Sequence, residues 1–250
     1  ERNTADLHNF LMCLLLAVVF HAVSILLARV LIRGKDGPAG ILQFGAVFSN
    51  CGFMGYPLML AMLGSIGVFY GSAYVVVFTV LAWTAGIYMV THDAGKLSWK
   101  HILLNPGVLS VAAAMALYLL SVQLPEIVMT PLNYLANMNT PLPTIVVGYQ
   151  LSHANFGQAF ADRRSWTALV LRLLVFPLLS IALCYALRVD SAVALVTVIA
   201  ACTPPAALLS MFAQKFGSDT RLSSSMVSVF TAISVLTIPP VVGLAQYLMG

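Results

Sequence analysis

The sequence predicts an all-α polytopic membrane protein of inverted-repeat type, with two broken crossover helices. Three observations lead there. Sixty per cent of the 250 residues are apolar and 8% are charged, where a soluble domain carries roughly 25% charge; mean hydropathy is +0.95. The apolar residues fall into runs long enough to cross a bilayer core, about 20 residues each. Two of those runs carry clusters of Gly, Pro and Asn that a continuous helix would avoid.

Eight runs follow one another along the chain, at 7–31, 41–63, 68–91, 105–123, 127–151, 165–187, 191–213 and 222–248. The connections are short, and no soluble domain or low-complexity segment interrupts them. The second run contains "FSNCGFMGYPLM", with Asn50, Gly52, Gly55 and Pro57 close together. The fifth contains "NMNTPLP", with Asn137, Asn139, Thr140, Pro141 and Pro143, and Gln150 follows near its end. The seventh contains "ACTPPA", Ala201 to Ala206. Non-helical backbone is tolerated at membrane depth only where protein buries it or where it lines a watery cavity.

Charge sets an orientation. Nine of the twelve basic residues (Arg29, Arg33, Lys35, Lys96, Lys100, Arg163, Arg164, Lys215 and Arg221) lie in alternate loops, at 29–38, 92–101, 153–165 and 214–221. The positive-inside rule makes these loops cytoplasmic, in a cell inner membrane, with both ends of the chain outside. The surplus of four positive charges forms no stripe that could track nucleic acid. The partners it leaves are the lipid bilayer and a small solute.

Weak internal similarity suggests two halves. "GS" at Gly64–Ser65 recurs at Gly217–Ser218, and "VFT" at Val77–Thr79 recurs at Val229–Thr231. Spans one to three thus resemble spans six to eight. Five spans separate the equivalents, an odd number, so the copies are inverted in the membrane. Residues 1–104 then end a first repeat, with its crossover at 41–63. Residues 105–250 form the second, with its crossover at 191–213. Two helices, about 60 residues, are expected ahead of Glu1 to complete the first repeat.

The chemistry concentrates at the two breaks. Broken helices expose N-termini, which favour anions, and C-termini, which favour cations. Asn50 and Thr203 add hydrogen-bonding side chains there. Among ionisable residues inside spans, His21 is either packed and neutral, bonded to a neighbouring helix, or functional. Arg172 either snorkels to the cytoplasmic face, attracts an anion, or pins a broken helix. All eight acids (Glu1, Asp6, Asp36, Asp93, Glu126, Asp162, Asp190 and Asp219) lie in loops or flanks. A cation antiporter working through cavity carboxylates is therefore disfavoured, and a carboxylate or neutral solute favoured. The four cysteines all lie in apolar stretches without CxxC spacing, as small buried packing residues do. HExxH, GxSxG, Walker and GxGxxG patterns are absent, so no enzyme, resident metal or cofactor is expected.

These residues carry a resemblance. "SNCGFMGYPLM" followed by "LGSIG", "NPGVLSV", "TPLPTIVVGYQLS" and "TPPAALLSMFAQKFGSD" resemble, in order, the motifs of the auxin efflux carrier family. Within it, the chain resembles the bacterial permeases associated with malonate or malate. The resemblance covers essentially the whole chain. It implies two inverted five-helix repeats, a fold related to the bile acid/sodium symporters, and elevator-like movement of a transport domain. Helices of 105–151 would form the panel, where a homodimer would join, and 165–248 the transport part. Asn50 takes the place of the crossover Asn that contacts a substrate carboxylate, and Pro57 that of the Gly-x-Pro proline. Pro204 or Pro205 would be the second crossing point. Gly52, Tyr56, Asn139, Thr140, Gln150 and Thr203 complete the expected substrate-binding set. Many bacterial members carry an Asn after the second proline, where this chain has Leu208 and Leu209. The expected activity is secondary transport of a small organic anion such as a dicarboxylate or auxin-like carboxylate, with coupling to H+ or Na+ left open. A ligand-binding membrane sensor is the alternative.

Overall fold

A computed structural model describes residues 4–34, 36–96, 100, 104–138, 141–152 and 155–249; side chains at 143, 144, 147 and 150 lie outside that description. Among the described residues regular structure is helical, apart from one isolated bridge between Ser49 and Pro205.

α1 (Thr4–Leu31) carries Asp6 in its first turn and Arg29 in its last, both favourable to the helix dipole. Phe10, Cys13, Ala17, Phe20, His21, Ser24 and Ala28 recur at helical spacing on its buried face. Leu11, Leu15 and Leu26 on the other side are exposed, as a lipid-facing surface requires.

α2 (Gly37–Val47) starts with a proline in its first turn, where the missing N–H costs nothing. Every residue from Ala39 to Val47 is buried. The helix stops at Phe48, in extended backbone, and the chain restarts as a π turn at Cys51–Gly55 that runs into α3 (Tyr56–Leu81). α3 is two helices meeting at a kink at Gly64, whose φ of 66° suits glycine. The expected 41–63 and 68–91 runs are divided at this point. A second π turn, Ala82–Gly86, leads to α4 (Ile87–Thr91).

α5 (Pro106–Leu119) is capped by Asn105, whose Oδ1 accepts the Gly107 N–H at 2.9 Å. It is shorter than the expected 105–123, ending before Ser121, which has a positive φ. α6 (Glu126–Asn137) and α7 (Pro141–Ser152) lie on either side of 138–140 in the fifth run. No residue of α5 or α6 is buried, whereas α7 packs against α13 and against the Cys51–Gly55 turn. A single helical turn, α8 (Phe156–Ala159), follows.

α9 (Arg164–Val170) and α10 (Phe176–Leu187) are joined by a π turn at Leu171–Val175. Pro177 explains it, because a proline one turn into a continuing helix removes a ladder donor and widens the turn before it. α11 (Ser191–Cys202) is capped by Asp190, which accepts the Ala192 N–H at 2.9 Å. Like α2 it is buried almost all round, from Val193 to Cys202. After a break at 203–207, α12 (Leu208–Phe216) ends at Gly217 with φ 71°. The Ser218 N–H closes that end on the Ala213 carbonyl at 2.9 Å. α13 (Thr220–Met249) completes the chain.

Four stretches are long and apolar enough to cross a bilayer: Thr4–Leu31, Cys51–Thr91, Arg164–Leu187 and Thr220–Met249. Several connecting segments meet at one end of the molecule. Arg164 donates to the Arg33 carbonyl at 3.0 Å and, through both terminal nitrogens, to Asp36 at 2.8 and 2.7 Å. Nearby, Ser218 donates to the Val90 carbonyl at 3.0 Å and Ser225 to Gln158 at 3.1 Å. At the other end Tyr70 donates to Asp6 at 2.9 Å, and Phe69 meets Tyr118 at 5.2 Å between ring centroids.

Candidate functional site

The two breaks lie against each other. Phe48–Asn50 and Pro204–Ala206 run antiparallel as short extended segments. The Asn50 N–H donates to the Pro204 carbonyl at 2.7 Å, and the Ala206 N–H donates to the Phe48 carbonyl at 2.9 Å. Proline has no N–H to give, so the strand opposite Pro204–Pro205 must carry a donor. Asn50 supplies it. Pro57, expected to mark the first crossing, lies instead in the first turn of α3. A proline at both crossing positions would leave the pair short of donors, which is the physical reason the crossing falls at Ser49–Asn50.

Four half-helix ends meet here. α2 and α11 arrive with their C-termini, and their last carbonyls lack intrahelical donors. Arg172 answers both. Its Nη1 donates to the Ala46 carbonyl at 3.1 Å and the Val47 carbonyl at 2.9 Å, and its Nη2 donates to the Ala201 carbonyl. The residue is wholly buried, and its guanidinium lies 5.9 Å from the Phe176 ring centroid. The snorkelling expectation is therefore overturned: the π turn at Leu171–Val175 aims the side chain inward, toward two negative dipole ends, rather than toward the cytoplasmic face. Thr203, also buried, donates to the Ala200 carbonyl at 3.1 Å and so finishes the α11 end.

The other two ends are N-termini, at Cys51–Phe53 and at Ala207–Leu208. Both open on one cavity of about 310 Å³, lined by Ser49, Asn50, Gly52, Phe53, Phe78, Trp83, Asn105, Ala206, Ala207, Leu208 and Met211. The Asn50 side chain takes no part in capping its own turn, which leaves its amide for the cavity it lines. Mostly apolar walls with a few converging polar groups are what a small-molecule site requires. The backbone N–H groups and dipoles of both helix ends favour a negative group there. Lys215 adds a positive charge near the wall, with its Nζ 5.6 Å from the Trp83 ring.

The cavity thus unites Asn50 and Gly52 of the expected set with the neighbours of Pro204 and Pro205. Tyr56 and Pro57 are part-buried on α3 but do not line it. Asn139 and Thr140 lie outside the described residues, as does the Gln150 side chain, although the helix that follows them packs on the Cys51–Gly55 turn. His21 is buried, with Nδ1 2.8 Å from the Ala17 carbonyl of its own helix, not of a neighbouring one as expected. Its ring packs against Tyr74 at 5.2 Å and Phe48 at 5.9 Å. Sequence reading missed Phe78, Trp83, Asn105 and Met211. Of these Phe78, inside the recurring "VFT", and Asn105, before the Pro-Gly that opens α5, carried a signal beyond hydrophobicity.

A family described as membrane transport protein matches residues 2–242. The chain belongs to that family. Two archaeal relatives are each described as an uncharacterized transporter. One, from Methanothermobacter thermautotrophicus, is 28% identical over 235 residues, covering 91% of this chain and 74% of the relative. The other, from Methanocaldococcus jannaschii, is 26% identical over 243 residues, covering 92% and 74%. The protein is a membrane transporter.

Proposed function

We propose that this chain is a secondary carrier for a small organic anion, a dicarboxylate or an auxin-like carboxylate, with the substrate's carboxylate at the crossover. One observation carries the reading: the N-termini of both broken helices open on the same cavity of about 310 Å³, with Asn50 on its wall. Two positive dipole ends and a free amide suit a carboxylate, and Phe53, Phe78, Trp83 and Met211 suit its hydrocarbon part. On this reading the basic end faces the cytoplasm, the chain crosses the membrane eight times, and the halves around the two crossovers are inverted repeats. The crossover unit moves, elevator-like, against the helices of 105–151. The positive-φ glycines Gly64 and Gly217, which stand at the recurring Gly-Ser pairs, support that pairing of halves.

The test is flux of labelled dicarboxylates and indole carboxylates in proteoliposomes. Wild type is expected to move at least one of them, and Asn50→Ala to bind it about 10–100-fold more weakly. That is the loss of one hydrogen bond to a charged group, about 1.5–3 kcal/mol. Unchanged flux in Asn50→Ala removes the crossover amide from the site.

A further inference from the structure

We infer that Arg172 is a resident cation of the crossover, standing where a carrier of this build would otherwise coordinate a dissociable coupling ion. The C-terminal ends of half-helices, with their unwound carbonyls, are the places where broken-helix transporters hold Na+ or a proton. In this chain three such carbonyls, those of Ala46, Val47 and Ala201, come from both half-helices, and each accepts a hydrogen bond from the one guanidinium. The group is buried completely. Guanidinium stays charged under all physiological conditions, and its rigid fork matches two acceptor sets at once. Among the described residues, the buried polar side chains include hydroxyls, amides, His21 and Arg172 but no Asp or Glu. No cluster of His, Cys, Asp and Glu able to hold a metal occurs among the described residues. A second cation at the same carbonyls would meet the fixed charge of Arg172 with no carboxylate to offset it.

The consequence is a carrier whose crossover is Na+-independent. The positive charge at the C-terminal half-helix ends belongs to the protein, travels with the crossover, and is not exchanged with solution. This rests on the carrier reading for its transport arm only; the stability arm stands without it.

The experiment uses the purified full chain in detergent and in proteoliposomes. Thermal unfolding of wild type in sodium, potassium or choline chloride at equal ionic strength should give one midpoint. A ligand that bound the native crossover would raise the midpoint with its concentration, so a sodium-specific rise overturns the inference. Arg172→Ala should unfold several degrees lower. Methylguanidinium at millimolar level should restore at least half of that loss, and choline none. A monodisperse Arg172→Ala that shows no loss, or no response to methylguanidinium, overturns the inference. Should Arg172→Ala fail to fold, Arg172→Lys decides: it should fold, with a midpoint below wild type, and remain insensitive to sodium. A sodium-stabilised Arg172→Lys would mean that the locus still recruits an ion and would overturn it. In proteoliposomes, replacing sodium by choline on both sides should leave wild-type flux unchanged, and sodium-driven flux is the opposing result. If no tested anion moves, the carrier reading is what fails, and the midpoints still decide the cation.

Discussion

Arg172 and Asn50 divide the polar work of the crossover between them. The arginine answers carbonyls that helix ends leave open, and the asparagine gives its N–H to the opposite strand and its side chain to the cavity. The sequence marks both as polar residues inside apolar runs, but not their partners. The carbonyls that Arg172 reaches lie 126, 125 and 29 residues away along the chain. Nothing in "LVLRLLVFPLL" states that distance, and a basic residue a few turns from a loop reads equally well as snorkelling. A second arginine behaves differently. Arg164 binds Asp36 at the basic end, where the two side chains are 30% and 49% exposed. The hydrogen bond from Arg164 holds the Asp36 carboxyl at about 2, below its ordinary 3.8, and Asp162 is lowered by the same group. A depressed carboxyl stabilises the fold fully above its unfolded value, and that contribution is lost as pH falls through the folded one. Asp36→Asn should therefore lower the unfolding free energy by a constant, small amount from neutral pH to about 5, less than about 1 kcal/mol for so exposed a pair. The difference from wild type should vanish between about pH 4 and 2; a difference that instead grows on acidification would show that the pair is not what Asp36 contributes.

At the scale of elements, the breaks were legible because Gly, Pro and Asn cluster in otherwise apolar runs. Their ends fall where composition placed them: α2 stops at Val47 and α11 at Cys202, each just before the quoted breakers. The strand pairing between the breaks was not legible, since two hydrogen bonds between segments some 155 residues apart leave no periodic trace. Nor were the cavity walls: Phe78 and Met211 stand at helical positions that any packed face would fill with the same residues. The paired strands make a specific demand on Ala206. It is buried, and its N–H is the second of the two crossing donors. Ala206→Pro would add a third consecutive proline and leave the Phe48 carbonyl without its partner, a cost of about 1–3 kcal/mol for a buried unsatisfied group. Ala206→Ser keeps the N–H and should cost much less. Thermal unfolding of the two variants side by side measures the difference, and equal midpoints would mean that the bond from Ala206 contributes nothing.

For the whole molecule, segments far apart along the sequence are brought together at one end. Arg33 and Asp36 meet Arg164 there, Val90 meets Ser218, and Gln158 meets Ser225. Such proximity accords with charge counting, because lipid constrains where long runs begin and end and connections are short. Charge counting could not foresee how sparsely α5 and α6 are covered, since a lipid-facing side chain and a protein-facing one are equally apolar. The sidedness is open to labelling. The native cysteines Cys13, Cys51, Cys184 and Cys202 are free and buried, so wild type should be inert to an impermeant maleimide. Single cysteines at Lys96, Arg163 and Lys215 should label from one side of the membrane and one at Asp190 from the other. A split among the first three would break the topology.

The crossing of the two extended segments has a consequence for solvent isotope exchange. Amides outside helices normally trade their hydrogen for deuterium quickly, because they open to water without unfolding anything. Asn50 and Ala206 lie in such backbone, yet both are buried at 4% and 3% exposure and both donate at the centre of the fold, at 2.7 and 2.9 Å. To release either one, the half-helices on both sides would have to separate. These two amides should therefore rank with those of α2 and α11 among the slowest to exchange. In a deuterium-uptake profile of the chain, protection should run unbroken through the places where helical structure stops.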